Sequence, residues 1–159
     1  MTTIDIHTHV GRSLYGHHLT EEELLRRMDA LRIDRSILIP FKPKGYDLSP
    51  ENDLVLRAVQ RYPDRFRAFL RVDPWQGAAA LAEIDRFEAA IEGGAVCGIF
   101  LHPWEENFPV EGAVARPIFA KAAQYALPVM ISGGHVRVST AWQIGAVARR
   151  FPSVTIIAT

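Results

Sequence analysis

Arg35-Ser36-Ile37-Leu38-Ile39 opens on a charge and continues as a nearly unbroken apolar run. A strand with one wet face alternates polar and apolar side chains, whereas one covered on both faces is apolar at successive positions. This run therefore reads as a strand inside a parallel sheet. Similar runs recur at Thr3–His7, Arg67–Val72, Val96–His102, Pro128–Ser132 and Val154–Ala158, the last containing Val154-Thr155-Ile156-Ile157. Their spacing is about thirty residues, the length of one strand–helix unit with short loops.

The intervening segments carry helix start and stop chemistry. Thr20 with Glu23 forms a capping box ahead of Leu24, Leu25, Met28 and Leu31. Ser49-Pro50 puts a cap and a first-turn proline before Leu54, Leu56 and Val59. Leu81, Ile84, Phe87 and Ile91 repeat at helical spacing until Gly93-Gly94. Pro117 opens a helix through Phe119 and Ala123, and Thr140 caps one through Ile144 and Val147. With no linker or low-complexity stretch, residues 1–159 read as one domain.

The chain has 159 residues, 48% of them apolar, with 18 basic and 18 acidic side chains. That balance argues against nucleic acid or an anionic membrane as partner, since both need clustered positive charge. No apolar stretch approaches the roughly 20 residues that span a bilayer. Asp5 and His7 interrupt the first apolar residues, unlike a signal peptide, so a cytoplasmic protein is expected. The single Cys97 excludes an internal disulfide and reads as a buried thiol.

Six strand–helix units are too few to close an eight-stranded barrel, which takes about 250 residues. An open doubly wound sheet would be complete at this length. The chain, however, stops in a strand with no helix after it, so the expectation is a C-terminally incomplete α/β barrel. Exposed first and sixth strands would also invite association, and a homo-oligomer is expected.

Four of the six histidines gather at strand ends: His7 and His9 at the first, His102 at the fourth and His135 just past the fifth. Asp73 ends the third strand in the same way, while His17 and His18 fall in a loop. Carboxyl ends of parallel strands form the rim where ligands bind. Residues two apart on a strand share a side, so His7 and His9 can reach one ion, and neutral imidazole suits zinc-like divalent metals. Asp5 shares that side and is placed to orient them. The plainer alternative is two histidines finishing a strand with ordinary hydrogen bonds.

Ile4-Asp5-Ile6-His7-Thr8-His9-Val10-Gly11 resembles the opening of the amidohydrolase superfamily, in the branch that includes aminocarboxymuconate semialdehyde decarboxylase. Arg67–Pro74, Gly98–Pro103, Leu127–Ile131 and Phe151–Thr159 resemble its third to sixth strands, so the likeness covers essentially the whole chain. The resemblance implies a (β/α)8 TIM barrel of which the chain covers only the first six strands. It also implies a divalent metal, zinc first and manganese or iron as alternatives, held by His7 and His9. The family usually places a histidine directly after the fifth strand. Here Ser132 stands there, and His135 follows three residues later as the candidate third ligand. Phe100 replaces the family's common fourth-strand lysine.

The expected activity is hydrolysis of a small molecule, the metal lowering the pKa of its water towards 7 and polarising a carbonyl. Non-oxidative decarboxylation of an unsaturated or aromatic acid is the alternative on the same site. A barrel that has lost part of its metal centre and only binds is the rival. His102 and His135 are the candidate catalytic residues, and Arg71 and Trp104 the candidate substrate-binding ones, with Trp75 a further pocket aromatic. Arg71 reads equally as a partner of Asp73, and His102 as a structural histidine before Pro103. Ser132 with His135 lacks the Gly-x-Ser-x-Gly elbow a serine nucleophile needs.

Overall fold

The computed structural model describes residues 2–159. The chain divides into two compact units: the first runs to Arg71 and takes in Ala89–Cys97, and the second is Val72–Glu88 with Gly98–Thr159.

In the first unit, β1 (Ile4–Arg12) pairs in parallel with β3 (Arg35–Pro40), and β3 with β4 (Phe66–Arg71). The crossovers are α1 (Glu21–Leu31) and α2 (Ser49–Arg61). Leu38, Ile39, Phe66, Met28 and Val55 are buried, as continuous apolar strands under amphipathic helices require. Thr20 Oγ1 accepts from Glu23 N–H, so half of the expected box caps α1, while the Glu23 carboxylate pairs with Arg27 instead. Ser49, by contrast, is already helical: Leu48 holds the cap position, and Asp47 Oδ1 takes the Ser49 N–H at 3.1 Å. A carboxylate two residues earlier has displaced the serine from the capping role.

The sequence pattern missed β2 (His18–Leu19), which folds back antiparallel with Arg12↔His18 in register. Pairing with it extends β1 to Arg12, so His7 and His9 lie within the strand rather than at its end. The β1–β3 register also slips. Asp5 faces Ser36 and Thr8 faces Leu38, which leaves one extra residue on β1, a bulge at Ile6-His7.

In the second unit, the Gly98–Leu101 part of β5 (Val96–Leu101) reaches β6 (Val129–Ile131), and β6 pairs with β7 (Ile156–Ala158), all parallel. Ile99, Leu101, Val129, Met130 and Ile131 are fully buried, as is Phe100. The expected helix through Leu81 and Ile91 is two helices, α3 (Ala78–Asp85) in this unit and α4 (Glu88–Glu92), which from Ala89 onward belongs to the first. Phe87 N–H bonds Ile84 rather than continuing the helical pattern, and that tightened turn drops the Phe87 ring into the core at 2% exposure. Burying a large aromatic outweighs the gain from one continuous helix, since α4 buries nothing of its own. Helices α5 (Arg116–Gln124) and α6 (Ala141–Arg150) complete the unit, with Pro117 in the first turn of α5. Cys97 is half-buried rather than fully enclosed; burial pushes its thiol up to about 11 against the pull of Arg67.

Among the described residues no helix is long and apolar enough to cross a membrane.

Candidate active site

The bulge on β1 sets the geometry of the histidine pair. An extra residue leaves a backbone donor without its ladder partner, and Asp5 Oδ1 accepts the His7 N–H at 3.1 Å. Asp5 thus holds the main chain of His7. Beyond the bulge, His7 and His9 share a side, and their Nε2 atoms stand 3.1 Å apart with ring centroids 5.1 Å apart. His9 Nδ1 lies 3.4 Å from the Pro40 carbonyl, which can only accept. A proton on Nδ1 of His9 satisfies that carbonyl and leaves its Nε2 to accept from an Nε2–H of His7.

The pair fits a divalent cation. Two imidazole nitrogens on one ion at about 2.0–2.1 Å stand roughly 2.9–3.4 Å apart for bond angles between about 90° and 110°. The observed separation falls inside that range, so the two nitrogens are spaced to ligate one cation. The carbonyl bond to His9 Nδ1 is the usual support that fixes a ligand's tautomer. Burial lowers the pKa of His7 despite the opposing charge of Asp5, which favours the neutral, ligating form. Among the described residues no three histidine, cysteine, aspartate or glutamate side chains are gathered to hold a metal. The pair offers two donors of such a shell.

Arg71 is 1% exposed, and its Nη1 donates to the same Pro40 carbonyl at 3.3 Å, which brings the guanidinium beside His9. Its backbone is clamped by Asn52, whose Nδ2 donates to the Arg71 carbonyl at 3.0 Å and whose Oδ1 accepts its N–H at 2.9 Å. The Phe41 ring stacks on His9 at 5.1 Å and on His17 at 6.4 Å. It leads from the pair to a cleft of about 400 Å³ under the β1–β2 hairpin, lined by Arg12, His17, His18, Lys44 and Glu51. Glu51 Oε2 lies against Gly11, where a Cβ would meet it at 3.0 Å, and burial raises the pKa of this carboxyl. Sequence reasoning passed over Arg12 and Lys44, because only the hairpin turns them into one cleft.

In the second unit, His102 follows β5, and its Nδ1 accepts from Glu105 N–H at 3.2 Å. Its Nε2 therefore carries the proton and is a donor. The ring of His135 lies 6.0 Å from that of His102 and stacks on Trp104 at 5.2 Å, 10° from parallel. His102, His135 and Trp104 thus form one cluster, with Trp104 still 56% exposed. Trp75 donates through Nε1 to Asn107 O at 3.2 Å. His135, expected as third metal ligand, belongs to a loop held by Ser139 N–H on its carbonyl. Phe100 packs edge-on to His102 at 5.9 Å, an apolar contact where a lysine would bring a charge.

A family model described as amidohydrolase matches residues 4–159. The chain belongs to the amidohydrolase family. No curated protein sequence matches it. Among solved structures, a probable 2-pyrone-4,6-dicarboxylic acid hydrolase from Acinetobacter baumannii, with citric acid bound, superposes at a TM-score of 0.70 and 16% identity, over 99% of this chain and 58% of that one. A 2,6-dihydroxybenzoate decarboxylase from Rhizobium gives 0.73 and 16%, over 99% and 65%. A 5-carboxyvanillate decarboxylase from Novosphingobium aromaticivorans, complexed with manganese and a nitrobenzoic acid, gives 0.68 and 19%, over 85% and 47%. The amidohydrolase chain thus spans well under two thirds of the length of some of these structures. Its fold is that of the (β/α)8 barrel, of which it supplies the first six parallel strands.

Proposed function

We propose that this protein is a metal-dependent hydrolase of a small molecule, acting in the cytoplasm as a homo-oligomer, with His7 and His9 as its first metal ligands. The observation that carries the reading is the 3.1 Å approach of the two Nε2 atoms, with the Pro40 carbonyl 3.4 Å from His9 Nδ1 to orient that ring. When bound, a divalent ion, zinc in the first instance, supplies Lewis acidity to a substrate oxygen or water. The protein's own part is to hold His9 through Pro40, His7 through Asp5, and Arg71 through Asn52, so that the ligands keep their orientation between turnovers. The candidate catalytic residues His102, an Nε2–H donor, and His135, stacked on Trp104, form a cluster of their own in the second unit.

Decarboxylation of an aromatic or unsaturated acid is the second reading. It is favoured by the cations Arg12 and Lys44 in the hairpin cleft and by the decarboxylases among the structural neighbours. Release of carbon dioxide from a hydroxybenzoate, against cleavage of a lactone or ester, separates the two.

Elemental analysis of the purified protein tests the metal. About one equivalent of zinc, manganese or iron is expected, falling to background in H7A/H9A with the fold intact by circular dichroism. Less than about a tenth of an equivalent in the parent, or undiminished metal in the double variant, would overturn the proposal.

A further inference from the structure

The second unit carries a cleft of about 320 Å³ between α5 and α6, apart from its His102–His135–Trp104 cluster. Its lining includes Phe119, Val147 and Phe151, with Arg116, Arg150 and Glu111 at the edge. Phe119 and Phe151 stack at 5.2 Å, and Phe119 and Val147 are buried, so the base of the cleft is apolar and already ordered. Arg116 starts α5 and Arg150 ends α6. Neither guanidinium has a hydrogen bond or ion pair to another described residue, whereas Glu111 accepts from Gln143 Nε2 at 3.5 Å.

Each feature restricts the ligand. Two guanidiniums against one carboxylate favour an anion, and the planar fork suits a carboxylate in particular. An apolar base gains from a hydrocarbon body and gives nothing to a bare inorganic ion. The volume lies at the lower end of small-molecule sites, enough for one ring and its substituents. We propose that this cleft is a binding site for a small aromatic carboxylate, a site additional to the proposed catalytic one and independent of it.

Titration of the full chain with benzoate, followed by amide chemical shifts or calorimetry, tests this. Saturable binding is expected, with shifts at residues of α5 and α6, weakening at least about tenfold in R116Q/R150Q. Inorganic phosphate, lacking the apolar body, is expected to bind about tenfold more weakly than benzoate. The H7A/H9A variant is expected to bind benzoate as the parent does. Four results would each overturn the proposal: no saturation by 20 mM benzoate, unchanged affinity in a folded R116Q/R150Q, phosphate binding as tight as benzoate, or loss of binding in H7A/H9A. A failed metal assay alone leaves this site standing.

Discussion

Asn52 sits on α2, yet both of its amide atoms serve β4, one bonding the carbonyl and the other the N–H of Arg71. It is 1% exposed, so removing its side chain takes a hydrogen-bond partner from each of two buried main-chain groups. Each such group costs about 1–3 kcal/mol. N52A is therefore expected to destabilise the protein by about 2–4 kcal/mol in urea unfolding, and a loss below about 1 kcal/mol would refute the clamp. Sequence reasoning found Arg71 but not Asn52, because an asparagine inside a helical pattern looks like an ordinary polar position. His7 and His9 were legible as a pair because a two-residue spacing on a strand implies a shared side. Which nitrogen of His9 carries the proton was not, since that depends on a carbonyl 31 residues away.

At the scale of elements, helix boundaries followed side-chain chemistry where the capping group had no competitor. Thr140 Oγ1 accepts from Gln143 N–H and Gln143 Oε1 from Thr140 N–H, a closed box at the start of α6. T140A is expected to lower stability by about 1 kcal/mol, read as a shift in the urea midpoint, and T140S to retain most of it. Equal losses in the two variants would point to the methyl group instead. The same reasoning failed at Ser49, where Asp47 reaches the amide first, and at Phe87, where core burial breaks a helix that periodicity alone would continue. The β1 bulge was likewise invisible, because an extra residue shows only against the partner strand's register.

Over the whole molecule the formal charge is zero at pH 7, and the isoelectric point is near 7.0. With no net repulsion between copies, association is easiest there. Precipitation by polyethylene glycol at constant ionic strength is expected to be most efficient near pH 7 and to ease at pH 5.5, well below the isoelectric point, where the chain carries net positive charge. A solubility that varies monotonically through pH 7 would contradict this. The parallel α/β class, the order of strand–helix units and the family were all readable from the chain, because burial on both faces imposes an apolar run that neighbours in sequence reveal. The shared carbonyl of Pro40, the hairpin cleft of Arg12 and Lys44, and the Trp104–His135 stack were decided only by folding. Each joins residues through contacts that no local pattern encodes.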